Sequence, residues 1–124
     1  MQSVASIFIV DDEENLHGVY KALFELRGHK VIGCAFDGDE AVQTFLQLNP
    51  KPDIIIMDHR MPRMDGISAT KMIHEISRKS KIVFISADET VREAALEAGA
   101  DMFQVKPVRA SALFEIITKL TKAG

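Results

Sequence analysis

Between Asp53 and Gly66 the chain reads Asp-Ile-Ile-Ile-Met-Asp-His-Arg-Met-Pro-Arg-Met-Asp-Gly, and the first half of that stretch restricts the fold more than any other. A strand with one face in water alternates apolar and polar residues, whereas Ile54 to Met57 are apolar without a break. Such a run fits a central parallel strand covered on both faces. It stops at Asp58. Proline cannot donate to a ladder, so the chain turns away at Met61-Pro62. Asp58 is left at the C-terminal end of the strand, where open α/β sheets bind their ligands.

The rest of the chain alternates around this strand. Val4 to Val10 is a first apolar, β-branched run, and it ends in four carboxylates, Asp11 to Glu14. Leu16, Val19, Tyr20 and Leu23 then fall at helical spacing, with Gly28 as the stop. Lys30 to Phe36 predicts a second strand. Asp37-Gly38-Asp39 turns, and Asp39 is expected to cap a short helix that faces Val42, Phe45 and Leu46 inward. After the central strand, Ala69, Met72, Ile73 and Ile76 repeat the helical spacing. Lys81 to Ile85 forms a fourth strand ended by Ser86. The fourth helix, Thr90 to Ala98, offers mainly alanine to the core and is expected to pack weakly. Met102 to Val105 is a short fifth strand ended by Lys106-Pro107, and Leu113, Ile116, Ile117 and Leu120 mark a last helix. Five strands alternating with five helices predict an α/β fold, a five-stranded parallel sheet joined by right-handed crossovers in a three-layer (βα)5 sandwich. Residues 1–124 read as one domain without internal repeats, although Thr121 to Gly124 can open a linker.

Composition narrows the function classes. A net charge of −3 without any basic run argues against nucleic-acid binding. The single cysteine excludes a disulfide framework or thiolate metal site, and Cys34 reads as a small buried residue in a reducing cytosol. No basic-apolar signal segment follows Met1, and no apolar run reaches the roughly 20 residues of a membrane helix. The expectation is a cytoplasmic domain with no membrane contact.

The chemistry lies at the strand ends. Strands one, three, four and five finish at Asp11-Asp12, Asp58, Ser86 and Lys106, and in a parallel sheet those ends share one edge. Each residue has a plainer reading: Asp11-Asp12 as a helix N-terminus, Asp58 as a turn carboxylate, Ser86 as a cap. Their joint placement is what argues for a site. Gathered carboxylates repel, by about 4 kcal/mol for two unit charges at roughly 4 Å and an effective dielectric of roughly 20. A hard divalent cation, Mg²⁺ or Mn²⁺, is the natural compensation. Asp58 can then act as an oxygen nucleophile toward a phosphoryl group, with Lys106 offsetting charge and Ser86 supplying a hydroxyl. His59 is expected to point outward from its loop. His17, His29 and His74 share no metal-ligand spacing, and Met57, Met61 and Met64 read as packing around a turn.

This combination resembles the receiver domain of two-component response regulators: Asp-Asp after strand one, Met-Asp…Met-Pro…Met-Asp-Gly after strand three, Ser-Ala after strand four, Lys-Pro after strand five. The likeness runs from about Ile7 to Leu120. It implies a flavodoxin-like fold with strand order 2-1-3-4-5, and Asp58 phosphorylated by a histidine kinase or phosphotransfer protein. It also implies Mg²⁺ held by Asp12, Asp58 and the backbone carbonyl of Arg60, with Asp11 acting through water. Ser86 and Lys106 would contact the phosphoryl group, Phe103 would occupy an aromatic switch position, and the bond before Pro107 would be cis. A downstream effector or a second copy would bind the face made by the fourth helix, fifth strand and fifth helix. Three positions depart from the family pattern: Arg60 where a small residue is common, Ser86 for threonine, and Phe103 without a tyrosine hydroxyl. Arg60, paired with Asp88, is expected to tune the lifetime of the phosphorylated state.

Two other functions compete. A haloacid-dehalogenase-type phosphohydrolase also uses a strand-end Asp with Mg²⁺, but carries a second Asp two residues later, where Arg60 stands. A flavin-binding flavodoxin would cradle phosphate at the first strand-to-helix turn, where Asp-Asp-Glu-Glu would repel it.

Overall fold

The structure, a computed structural model, describes residues 4–122. Its elements alternate strictly: β1 (Ser6–Val10), α1 (Glu14–Leu26), β2 (Lys30–Ala35), α2 (Gly38–Gln47), β3 (Ile54–Asp58), α3 (Gly66–Ile76), β4 (Lys81–Ser86), α4 (Arg92–Ala98), β5 (Met102–Val105) and α5 (Ala110–Lys122). A 3₁₀ turn, Glu89–Val91, leads into α4. The strands form one sheet in the order β2-β1-β3-β4-β5, every pair parallel. Residues 55 and 57 of β3 pack with Phe8, Phe45, Ile73, Phe84 and Phe103 on one face of the sheet. Ile54 and Ile56 pack with Ile9, Phe24, Val83, Leu113 and Ile117 on the other. The uninterrupted apolar run is therefore explained by helices on both sides.

Register sets the site. Val10 pairs with Met57, Asp58 with Ile85 and Ser86 with Val105. Asp11, Asp58, Ser86 and Lys106 consequently leave the sheet along one edge.

The expected helix faces are buried in part: Tyr20 in α1, Val42 and Phe45 in α2, Ala69 and Ile73 in α3, and Leu113, Ile116 and Ile117 in α5. The stripes differ at other positions. In α1 the buried residues are His17, Tyr20 and Phe24, while Val19 is 53% exposed. In α2 they include Ala41, Val42 and Phe45, with Leu46 outside; in α3 they include Ala69, Thr70 and Ile73, with Met72 and Ile76 outside. A helix lying on a sheet buries a narrow stripe, and here small or polar residues complete it in place of the larger apolar residues beside them. The α2 cap is Asp37, not Asp39. Asp37 is the extended residue ahead of the helix and accepts from the Glu40 amide at 2.8 Å, while Glu40 reaches back to the Phe36 amide.

Cys34 is exposed, not buried. It lies on the edge strand β2 beside a slot also lined by Gly18, a residue of α1 with no side chain to cover it. His59 points inward, its ring centroid 5.8 Å from that of Phe84. In α4 Ala95 is the one buried residue, which matches the weak packing expected there. Thr121 and Lys122 belong to α5 and not to a linker; Ala123, Gly124 and the first three residues, where a signal segment would begin, lie outside the described residues. Among the described residues no helix is long and apolar enough to cross a membrane.

Candidate functional site

Asp58 closes β3 with 7% of its surface exposed, and Asp11, just past β1, retains 2%. Together with the exposed Asp12 they offer carboxylate oxygens that all lie within 4.8 Å of one another. The loop carrying Asp11 is tied down on three sides. Its amide donates to the Ala35 carbonyl at 3.1 Å, and its side chain accepts from the Glu13 amide at 2.9 Å. Its carbonyl accepts from His17 Nε2 at 2.6 Å.

Lys106 supplies the cation. Its Nζ lies 3.0 Å from Asp58 Oδ1 and 3.6 Å from Asp11 Oδ2. The Lys106 amide donates to the Ser86 carbonyl at 2.9 Å, which places the base of this side chain, and the Lys106–Pro107 bond is cis. Two carboxylates share one ammonium, and the charges respond accordingly. Burial, with the negative charge of Asp11 second, pushes the Asp58 carboxyl above its ordinary pKa against the opposing pull of Lys106. Burial draws the Lys106 ammonium down, but the hydrogen bond to Asp58 and the charges of Asp58 and Asp11 outweigh it, so its pKa rises. The unbalanced negative charge, presented on hard oxygen donors, is what a divalent cation such as Mg²⁺ is suited to neutralise.

Beyond Asp58 the chain folds back tightly. The Gly66 amide donates to the His59 carbonyl at 2.8 Å, and a Cβ on Gly66 would lie 2.0 Å from the Asp58 carbonyl oxygen. Only glycine permits this closure, and the Asp65 side chain next to it caps α3 by accepting from the Ser68 amide at 2.8 Å.

A cleft of about 500 Å³ opens over the carboxylates, lined among others by Asp12, Asp58, Arg60, Ser86, Asp88 and Lys106. Ser86 is buried and its Oγ accepts from the Asp88 amide at 3.1 Å. Asp88 caps the 3₁₀ turn through Thr90, and those two hydrogen bonds, more than Arg60, hold its carboxyl below the ordinary range. Arg60 reaches across the mouth, its guanidinium 3.5 Å from Asp88, with 80% of its side chain in solvent. Phe103 is not in the cleft. It lies inside the sheet face, stacked on Phe84 at 5.8 Å, with the Arg92 guanidinium 4.8 Å above its ring.

The sequence-predicted residues Asp11, Asp12, Asp58, Arg60, Ser86, Asp88 and Lys106 thus converge, while Phe103 and Pro107 stand behind and beside them. Sequence reasoning missed Glu13, whose amide shapes the Asp11 turn and which lines the cleft, and His17, which holds the Asp11 carbonyl. Glu13 was signalled by its adjacency to Asp-Asp; nothing in the spacing of His17 marked it.

The response regulator receiver domain model matches residues 7–118. The chain belongs to this family. A receiver domain of this kind is the phosphoacceptor signalling module of two-component systems, and the haloacid-dehalogenase alternative finds no support. The receiver is 38% identical over 118 residues to a chemotaxis protein CheY of Thermotoga maritima, covering 94% of this chain and 97% of the relative. It is also 34% identical to a protein-glutamate methylesterase/protein-glutamine glutaminase of Geobacter sulfurreducens, covering 88% of this chain and 29% of that longer protein. Among solved structures, the CheX-CheY-BeF₃-Mg complex of Borrelia burgdorferi contains a similar chain, with a TM-score of 0.87 and 31% identity, over 93% of this chain and 87% of that one. The five-stranded 2-1-3-4-5 sheet of the receiver agrees with the order implied by the family resemblance.

Proposed function

We propose that Asp58 is the phosphoacceptor of this receiver. A carboxylate oxygen of Asp58 forms a bond to phosphorus as the phosphorus–nitrogen bond of a phosphohistidine donor breaks, and the donor imidazole keeps the electron pair. The observation that carries this reading is the position of the Asp58 carboxyl at the end of β3, within 4.8 Å of Asp11 and Asp12 oxygens and 3.0 Å from Lys106. Asp12, Asp58 and the Arg60 backbone carbonyl would hold Mg²⁺, with Asp11 acting through water. Bound there, the ion would offset negative charge on the phosphoryl oxygens. Lys106 does the same from the opposite side. Ser86, which now accepts from the Asp88 amide, turns its hydroxyl toward the phosphoryl group.

The donor is a histidine kinase or phosphotransfer protein. Output passes from Ser86 and Phe103 to the α4–β5–α5 face, where a downstream effector or a second copy docks. The whole chain, 1–124, acts as one cytoplasmic receiver unit whose chemistry is confined to its own phosphorylation and dephosphorylation. Arg60 and Asp88 flank the water path to the acyl phosphate and lengthen its life.

Intact-mass analysis tests the assignment. Wild-type protein given a small phosphodonor with Mg²⁺ gains one phosphoryl mass; Asp58→Asn gains none, and Asp12→Ala or removal of Mg²⁺ lowers incorporation sharply. Equal incorporation in Asp58→Asn would remove Asp58 from this role.

A further inference from the structure

We infer that His17 is a positioning residue for the metal-binding loop, resting on the reading of Asp11, Asp12 and Asp58 as the cation site. A carbonyl oxygen can only accept, so the 2.6 Å contact between His17 Nε2 and the Asp11 carbonyl fixes the proton on Nε2. The other ring nitrogen, Nδ1, is buried and has no hydrogen-bond partner among the described residues. A buried polar atom without a partner is unfavourable, so packing alone gives no reason for histidine here. An apolar ring of similar size would fill the same space without that penalty. The feature that histidine adds is the donor to Asp11.

That donor is the third anchor of Asp11, beside its amide bond to the Ala35 carbonyl and the Glu13 amide on its side chain, and the one that acts on its carbonyl. The N-cap of α1, Glu13, makes no side-chain capping hydrogen bond. From the first turns of α1, His17 reaches back six residues to the point where β1 ends and the acidic loop begins. Its ring also meets Phe36 just past β2, centroid to centroid 4.4 Å. The ring therefore joins α1, the tip of β2 and the Asp11 backbone, and sets the direction in which Asp11 and Asp12 leave the sheet. A hydrogen bond one step behind a metal-binding group typically changes metal affinity about 10-fold or more when removed.

The test compares Mg²⁺ binding by calorimetry in wild type, His17→Phe, His17→Gln and Asp12→Ala. His17→Phe keeps an apolar ring and loses the donor, and it should weaken Mg²⁺ binding about tenfold. His17→Gln restores an N–H donor and should recover most of that loss, a rescue that a merely structural role would not show. Unchanged affinity in His17→Phe, with Asp12→Ala strongly weakened, overturns the role of His17 while leaving the cation site intact. Unchanged affinity in Asp12→Ala overturns the cation site itself. A second measurement needs no variant. Nitrogen-15 spectra of the wild-type ring should show the Nε2–H tautomer and a His17 resonance that moves with the Asp11 carbonyl carbon on Mg²⁺ addition. An Nδ1–H ring, or one indifferent to Mg²⁺, contradicts the inference.

Discussion

The two flanks of the acidic cleft are built in opposite ways. On the β1–α1 side, Asp11 is held through its amide, its carbonyl and its side chain, and the strands beneath are buried on both faces. On the other side, β4 runs into a 3₁₀ turn and a seven-residue helix that buries only Ala95. The first arrangement keeps carboxylates together despite their repulsion, which needs many fixed partners. The second gives a segment with few apolar contacts, the kind that opens or shifts at low free-energy cost. A rigid charge platform beside a loosely held helix is what a phosphorylation switch needs, since local charge chemistry must become a displacement elsewhere.

The largest expected contrast between the flanks is in stability. Ile55 is fully buried in β3, and Ile55→Ala should cost about 2–5 kcal/mol in urea unfolding. Leu96 on α4 is 42% exposed, and Leu96→Ala should stay within about 0.5 kcal/mol of wild type. Equal losses would mean that α4 is as firmly packed as the central strand.

That contrast also explains what the sequence revealed. The buried run Ile54 to Met57 and the residues that end β1, β3, β4 and β5 were legible, because burial on both faces and the abrupt change to polar residues are properties of the chain itself. The alanine-rich face of α4 was legible for the same reason. The faces of α1, α2 and α3 were legible only in part, since which stripe meets the sheet depends on packing partners far away in sequence. Val19, Leu46 and Met72 match the helical spacing yet remain exposed, while His17 and Thr70 go inside. Cys34 followed the same logic: an apolar neighbourhood suggested burial, but its strand turned out to be an edge. His59 was misplaced because the aromatic face of Phe84 that receives it comes from β4, a neighbour the local sequence does not announce.

A smaller effect concerns the cleft mouth, where the flanks meet through Arg60 and Asp88. The pair is exposed and contributes little to stability directly. Its expected influence is on the path of water to the acyl phosphate, where about 1.36 kcal/mol in the barrier is tenfold in rate. Arg60→Asn should shorten the life of the phosphorylated protein by up to about that factor, followed as loss of phosphate after donor removal at fixed Mg²⁺ and pH. Decay at the wild-type rate or slower would make Arg60 only a solvated side chain.

The smallest expected effect lies on the firm side, at the opposite end of the sheet. His29 is buried and its Nδ1 accepts from the Ala5 amide at 3.0 Å, which requires a neutral ring. Burial, and then the charge of Arg27, lower its pKa below the ordinary 6.5. Between the folded value and 6.5 the unfolded chain therefore binds more protons than the folded one. Stability should rise with pH through that window and fall away as pH drops below 6.5. His29→Asn, which keeps an acceptor but cannot titrate, should flatten this part of the profile. An unchanged slope between wild type and variant would assign the pH dependence to other groups.

The most direct test of a fixed platform beside a movable helix is amide hydrogen exchange of the Mg²⁺-loaded protein with and without beryllofluoride, a mimic of the phosphoryl group. The largest change in protection should fall between Ala87 and Met102, with β1 and β3 unchanged. A uniform response, no response in that segment, or a largest change within β1 and β3 would contradict the account.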